Sequence, residues 1–148
     1  MSNLKIVIAS DHAGYDLKSA IIKEFKSTLN LTDLGSDSAE VSVDYPDFAN
    51  KLAKEIINKK ADFGILICGS GVGISIAANR HPQIRAALCH NQKIAKLSRQ
   101  HNDANVLCLG SRITKKDAAL KIVKAFLNTK FEGGRHIKRV QKLGNPEI

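Results

Sequence analysis

Tryptophan is absent from this chain, and aromatic residues of all kinds make up only 5% of it. Proteins that bind single-stranded nucleic acid stack bases on exposed aromatic rings, and few are on offer here. No RNP-type or helix-turn-helix pattern appears either, so the expectation is no nucleic acid partner. Cysteine is scarce: Cys68, Cys89 and Cys108 are the only three. An odd count with no C-x-x-C pair and no zinc spacing argues against a disulfide framework and a structural metal. No H-E-x-x-H pattern occurs, so neither a metal nor a cofactor is expected. No apolar run approaches the roughly 20 residues of a membrane span. The start, Met1-Ser2-Asn3-Leu4-Lys5, lacks the sections of a signal peptide. The expectation is a cytoplasmic protein with no membrane partner.

What is present is 148 residues with 43% hydrophobic content, which suits one domain over residues 1–148. The net charge is +9 and the pI about 9.6. Such a balance favours anionic partners, among them phosphorylated small molecules. Most lysines lie on polar helix faces. The basic cluster that stands apart is Arg135, His136, Lys138 and Arg139.

Apolar runs alternate with helical patterns. Leu4 to Ala9, Leu31 to Leu34, Phe63 to Cys68, Ile84 to Cys89 and Val106 to Leu109 read as strands. Leu17, Ile21, Phe25 and Leu29 fall on one helix face, as do Phe48, Leu52 and Ile56 after Pro46. A small-residue helix ends near Asn79. Another runs from Gln92 to about Asn102 with Ile94, Ala95 and Leu97 inward. Thr114-Lys115-Lys116-Asp117 resembles a capping box, opening a helix that buries Ala118, Ala119, Ile122, Val123 and Phe126. A Gly133-Gly134 break precedes a last helix from about Arg135 to Leu143. Continuous apolar strands separated by helices imply parallel pairing with right-handed crossovers. The expected fold is α/β, a three-layer α/β/α Rossmann-like arrangement with a five-stranded parallel sheet and a C-terminal helix. Ligands of such sheets bind beyond the carboxyl ends of the strands. That selects the loops after Ala9, Cys68 and Cys89.

Gly69-Ser70-Gly71-Val72-Gly73 lies between a strand and a helix. Its glycines permit close backbone approach, and N–H groups at a helix start attract anions. The loop fits neither the dinucleotide pattern, because Ile74 stands at the third glycine position, nor the P-loop pattern. It holds a phosphate or oxyanion, or it is a tight turn. Cys68 heads the loop. Helix starts favour the thiolate form of a cysteine, and a thiolate there could take a proton from carbon beside a carbonyl. The other reading is a third buried structural cysteine. Ser10-Asp11-His12 is a proton-sharing pair or a polar turn with an Asp cap. His101-Asn102 ends a helix, where a histidine often serves the dipole. Arg135 and Arg139, four residues apart, share a face that suits a phosphate or lies solvated.

Taken in order, these segments resemble type B ribose-5-phosphate isomerases and the related galactose-6-phosphate isomerase subunits. The resemblance covers nearly the whole chain. It rests on Ser10-Asp11-His12-Ala13-Gly14, Asp44-Tyr45-Pro46 and Ile67 through Asn79. It continues with Leu97-Ser98-Arg99-Gln100-His101-Asn102, Gly110-Ser111-Arg112 and Glu132-Gly133-Gly134-Arg135-His136. It implies an aldose–ketose isomerase that interconverts ribose 5-phosphate and ribulose 5-phosphate, in the pentose phosphate pathway, by metal-free proton transfer through an enediolate. By the resemblance, Cys68 looks like the base. A branch of the family uses a Glu further along, where Ser75 stands here. Gly69, Gly71, Val72 and Gly73 resemble the enediolate's anion hole, and Ser70 keeps the hydroxyl that many members carry as Thr. His101 resembles the group that opens the sugar ring, with Asp11 nearby, Tyr45 lining the site and Asn102 binding substrate. His12, Arg112, Arg135 and Arg139 look like the phosphate clamp. Some of these come from a neighbouring subunit in the family, which implies a homodimer or homotetramer with shared sites. Rival readings are an isomerase of a six-carbon sugar phosphate (galactose 6-phosphate or allose 6-phosphate), a non-enzymatic nucleotide or nucleic-acid binder, and an inactive structural subunit.

Overall fold

The computed structural model describes residues 3–148, so the reading of the Met1-Ser2 start lies outside it. In chain order the elements are β1 (Lys5–Ser10), α1 (Tyr15–Phe25), β2 (Asn30–Asp33), α2 (Tyr45–Ile57), β3 (Phe63–Cys68) and α3 (Val72–Ala78). They continue with β4 (Ala86–Leu88), α4 (Gln92–Asn102), β5 (Val106–Gly110), α5 (Lys116–Leu127) and α6 (His136–Leu143). All four strand pairings are parallel, in the order β2-β1-β3-β5-β4. The expected three-layer fold with its five-stranded parallel sheet and final helix is what the chain adopts.

Strand alternation sorts the core into two faces. Ile6, Ile8, Ile65, Ile67, Leu107 and Leu109 pack with Leu17 and Ile21 of α1 and Ile122 and Phe126 of α5. Val7, Ala9, Leu66, Cys68, Val106 and Cys108 face the other way, toward Ala49, Leu52 and Ala53 of α2 and Ile74 and Ala78 of α3. Cys68 therefore lies on the face covered by α2 and α3. The short helix α6 rests on α4.

Five local readings need correction. Leu29 lies past the end of α1, which stops at Phe25, although it still packs on the core. The fourth strand is shorter than Ile84–Cys89: only Ala86–Leu88 pairs as strand, at the sheet's edge and with β5 alone. Ile84 and Cys89 are still buried. Ile94 faces outward, and Ala95, Ser98 and Arg99 form the buried side of α4. Arg99 fits there because its donors are satisfied. Nε reaches Thr129 O at 3.1 Å, and Nη1 reaches Ala104 O at 2.7 Å and Asp103 Oδ1 at 2.9 Å. Its guanidinium also stacks 4.8 Å from the Phe63 ring centroid. Ala118 is exposed on α5. The capping box does not form, because α5 starts one residue later than it requires, with Lys115 at the cap and no side-chain bond.

A charged residue lies inside. Lys18 of α1 is fully buried, with Nζ 2.6 Å from Asp33 Oδ1 and 2.8 Å from Ser36 O. A buried ammonium persists only when so paired. The pairing fixes the loop after β2, whose Gly35 O and Ser36 N bond the backbone of Ser10 at 2.9 Å each. That steadies the end of β1, from which Asp11 projects.

Candidate active site

The strand order reverses direction at β1 and β3, so a crevice opens between their carboxyl ends. Cys68 ends β3 there. Its Sγ accepts the Gly71 N–H at 3.2 Å. Gly71 has φ +80°, and a Cβ on it would meet Leu88 at 2.5 Å and the Gly110 nitrogen at 3.0 Å. Only glycine turns the chain this sharply and this close to β5. The first helical bond of α3 runs from Ser75 N to Gly71 O, so the N–H groups of Val72, Gly73 and Ile74 have no acceptor within the helix. Ser70 Oγ takes the one from Val72 at 3.1 Å. Gly73 and Ile74 still point theirs out of the helix start. The Ser75 hydroxyl bonds Val72 O at 2.7 Å, as a helical serine does.

The surrounding loops close on this turn. Ser111 N and Arg112 N donate to Cys68 O and Gly69 O, each at 2.9 Å, and Ser111 Oγ donates to Ala13 O at 2.8 Å. The Arg112 guanidinium covers Gly69 so closely that a Cβ there would stand 2.5 Å from Nη1. Tyr45, at the start of α2, covers Gly73 in the same way, 2.6 Å from a Cβ placed there. Asp11 is buried, and its N–H bonds Ile67 O at 3.2 Å, directly beside β3. Its Oδ1 accepts the Gly14 N–H at 3.0 Å, a bond within the turn that precedes α1, whose cap residue is Gly14. His12 Nδ1 accepts the Val43 N–H at 3.1 Å. A backbone N–H can only donate, so the neutral ring carries its proton on Nε2 and presents a donor there. Asp11, His12, Tyr45, Cys68, Ser70, Arg112 and the glycine loop thus gather at one edge of the sheet.

His101, Asn102, Arg135 and Arg139 do not join them. Helix α4 runs back along the sheet from the end of β4 to the start of β5, so its last residues lie at the amino edge. His101 and Asn102 there share a hollow of about 270 Å³ with His136, Arg139, Val140 and Leu143. Arg135 is the cap residue of α6, beside them. The His101 and His136 rings stack, centroids 4.5 Å apart and planes 14° from parallel. Glu132 Oε1 lies 3.8 Å from Nε2 of each. Burial lowers the His136 pKa, with His101, Arg135 and Arg139 acting the same way and Glu132 opposing them. Neither Glu132 nor His136 was singled out as a site residue from sequence. Their spacing of four across two glycines was the available signal.

Among the described residues, His101, Glu132 and His136 are the one group of ligand-type side chains within metal-binding reach of each other. A metal ion bonds imidazole nitrogen in the ring plane at about 2.0–2.1 Å. Two planes so nearly parallel do not meet at such a point, so these rings as oriented form no metal site. Burial pushes the Cys89 thiol up to about 11, with Ser98 pulling the other way, and burial also raises the Cys108 thiol. Both are inert core residues. A groove of about 730 Å³ between α1 and α5 is lined by none of the candidate residues.

Residues 6–143 match the model of the Ribose/Galactose Isomerase family. Ribose-5-phosphate isomerase B of Escherichia coli is 45% identical over 140 residues, 94% of this chain and 93% of that protein. The solved structure of Clostridium thermocellum ribose-5-phosphate isomerase B superposes with a TM-score of 0.93 at 51% identity, covering 95% of each chain. The Mycoplasma genitalium ribose-5-phosphate isomerase B, solved with bound ribulose 5-phosphate, gives 0.90 at 46% identity, covering 97% of this chain and 95% of that one.

Proposed function

The chain belongs to the ribose/galactose isomerase family and interconverts ribose 5-phosphate and ribulose 5-phosphate; we propose that it does so by proton transfer through an enediolate, without a metal, with Cys68 as the base. The observation that carries this reading is the Cys68 sulfur held by the Gly71 N–H at the mouth of the sheet's crevice. A thiolate so held removes the proton from C2 of the open aldose and returns it at C1. The charge that develops on the oxygens meets the outward N–H groups of Gly73 and Ile74. Ser70, with its hydroxyl beside the same turn, and Tyr45, over Gly73, border the reacting carbons.

The phosphate is the substrate's remote handle, and its binding energy serves to orient the reacting carbons. His12, with Nε2–H free to donate, and Arg112, over Gly69, are the clamp groups at the carboxyl edge. Arg135 and Arg139 complete it, and His101 opens the furanose ring with Asp11 and Asn102 assisting. Because Arg135, Arg139, His101 and Asn102 lie at the amino edge while Asp11 lies with Cys68, the reading requires a second copy of the chain, in a homodimer or homotetramer. Each site then takes Cys68 from one copy and His101 from another. The three free cysteines fit a reducing compartment such as the cytoplasm.

Chelator-treated protein assayed on ribose 5-phosphate and on galactose 6-phosphate tests both substrate and chemistry. We expect turnover on the five-carbon substrate that survives the chelator, and a loss of about a thousandfold or more in kcat for Cys68→Ala. Near-normal turnover by Cys68→Ala would remove the thiol from the base role. Preference for the six-carbon substrate would shift the substrate assignment and leave the chemistry standing.

A further inference from the structure

The cluster at the amino edge holds two groups that the proposed mechanism does not use. His136 lies flat against His101, and Glu132 faces the Nε2 atoms of both rings. The arrangement is built by the backbone. The Glu132 N–H bonds Gln100 O at 3.1 Å, tying the carboxylate's own residue to the one before His101. Gly133 and Gly134 then take φ of +71° and +56°, reversing the chain so that His136 returns beside Glu132. On the other side, the buried Arg99 anchors the last turn of α4, from which His101 projects. Glu132 is half exposed, and an exposed ion pair contributes little to stability. What so many contacts fix is the attitude of one imidazole.

We infer that Glu132 and His136 are positioning residues for His101, the carboxylate setting its tautomer and the stacked ring its plane. The inference rests on the reading of His101 as the acid–base group of ring opening. Opening the furanose takes the proton from the anomeric hydroxyl, breaks the bond between C1 and the ring oxygen, and delivers a proton to that oxygen. No electrons change hands. An imidazole performs such a transfer when one nitrogen is free and the other is held. At 3.8 Å the Glu132 carboxylate acts on Nε2 through its charge rather than by a hydrogen bond, and that charge favours the proton on Nε2 and leaves the Nδ1 lone pair for the sugar.

Ring chemistry separates this role from a general structural one. Ribose 5-phosphate is cyclic and must be opened. Ribulose 5-phosphate cannot close a furanose, because its O5 is phosphorylated, so exchange of its C1 proton with solvent needs the base and no ring opening. We would measure both reactions, consumption of ribose 5-phosphate and uptake of deuterium at C1 of ribulose 5-phosphate in D2O. The proteins are wild type, Glu132→Gln, Glu132→Asp, His136→Ala and His101→Ala. Glu132→Gln and His136→Ala are expected to lower kcat on ribose 5-phosphate about tenfold or more, as loss of an orienting partner does, with KM little changed. Deuterium exchange should stay near wild type, and Glu132→Asp should recover much of the loss. Equal losses in both reactions, or no loss on ribose 5-phosphate while His101→Ala is impaired, would overturn the inference alone. Normal consumption by His101→Ala would instead sink the reading of His101 itself, and the inference with it.

Discussion

At the carboxyl edge of the sheet the candidate chemistry hangs on backbone, while at the amino edge it hangs on side chains. The Cys68 turn is walled in by glycines that admit β5, Arg112 and Tyr45 at contact distance, and its sulfur and N–H groups are set by the strand that precedes them. The His101 cluster is assembled from helix ends and one returning loop, and much of it is open to solvent. A thiolate and a developing oxyanion need fixed donors, which backbone amides supply without rotamer freedom. A phosphate and a sugar hydroxyl need reach, which arginine and histidine side chains supply. The two sets lie at opposite edges of the sheet, and it is this separation that makes the proposed site depend on a second copy.

The comparison is broken most directly by mixing defects. Cys68→Ala and His101→Ala should each be nearly inactive alone. If sites are shared across a two-fold axis, random mixed dimers should recover about a quarter of wild-type turnover, because half of the dimers are mixed and each carries one intact site. No recovery after unfolding and refolding the two variants together would mean that each site is built within one chain. A smaller effect is expected from Arg139→Ala. Loss of one charge-assisted phosphate contact should raise KM about 10- to 100-fold with kcat less affected. Inorganic phosphate should inhibit the variant correspondingly less. An unchanged KM would take Arg139 out of the clamp and leave the amino edge with ring opening alone.

The smallest effect concerns stability. The His136 pKa is lowered in the fold, so between that value and its ordinary 6.5 the unfolded chain binds more protons than the folded one. The contribution is complete above about pH 6.5 and is lost as pH falls through the folded value. The thermal midpoint of wild type should therefore fall more steeply below pH 6.5 than that of His136→Gln. Parallel curves would show that the stack carries no such linkage.

The carboxyl edge was legible in the sequence because its parts are local. A buried strand, a thiol and a glycine turn follow one another from Phe63 to Gly73, and strand alternation fixes which way the sulfur faces. The layer architecture followed from the same apolar runs. The amino edge was less legible. His101 and Arg139 were picked out, yet nothing in their spacing says that a loop 31 residues beyond His101 returns to it with Glu132. Ile94 misled because hydrophobicity alone does not choose a helix face. The inward position went to Arg99, whose charge is balanced by carbonyls and an aspartate that are distant or unremarked in sequence. The short β4 has the same origin. An edge strand with a single partner is held by fewer ladder bonds than its apolar run suggests.

The order β2-β1-β3-β5-β4 has a consequence for synthesis on the ribosome. The first three strands to emerge can pair with one another as soon as β3 is out, because β1 lies between the other two. The fourth has no such seat. Its only neighbour is β5, so residues 84–89 leave the ribosome before the strand that receives them exists. At about 5–20 residues per second the wait lasts on the order of a second or more. During that interval Ile84, Leu88 and Cys89 are uncovered, and the nascent chain offers them, together with the bare flank of β3, to any chaperone within reach.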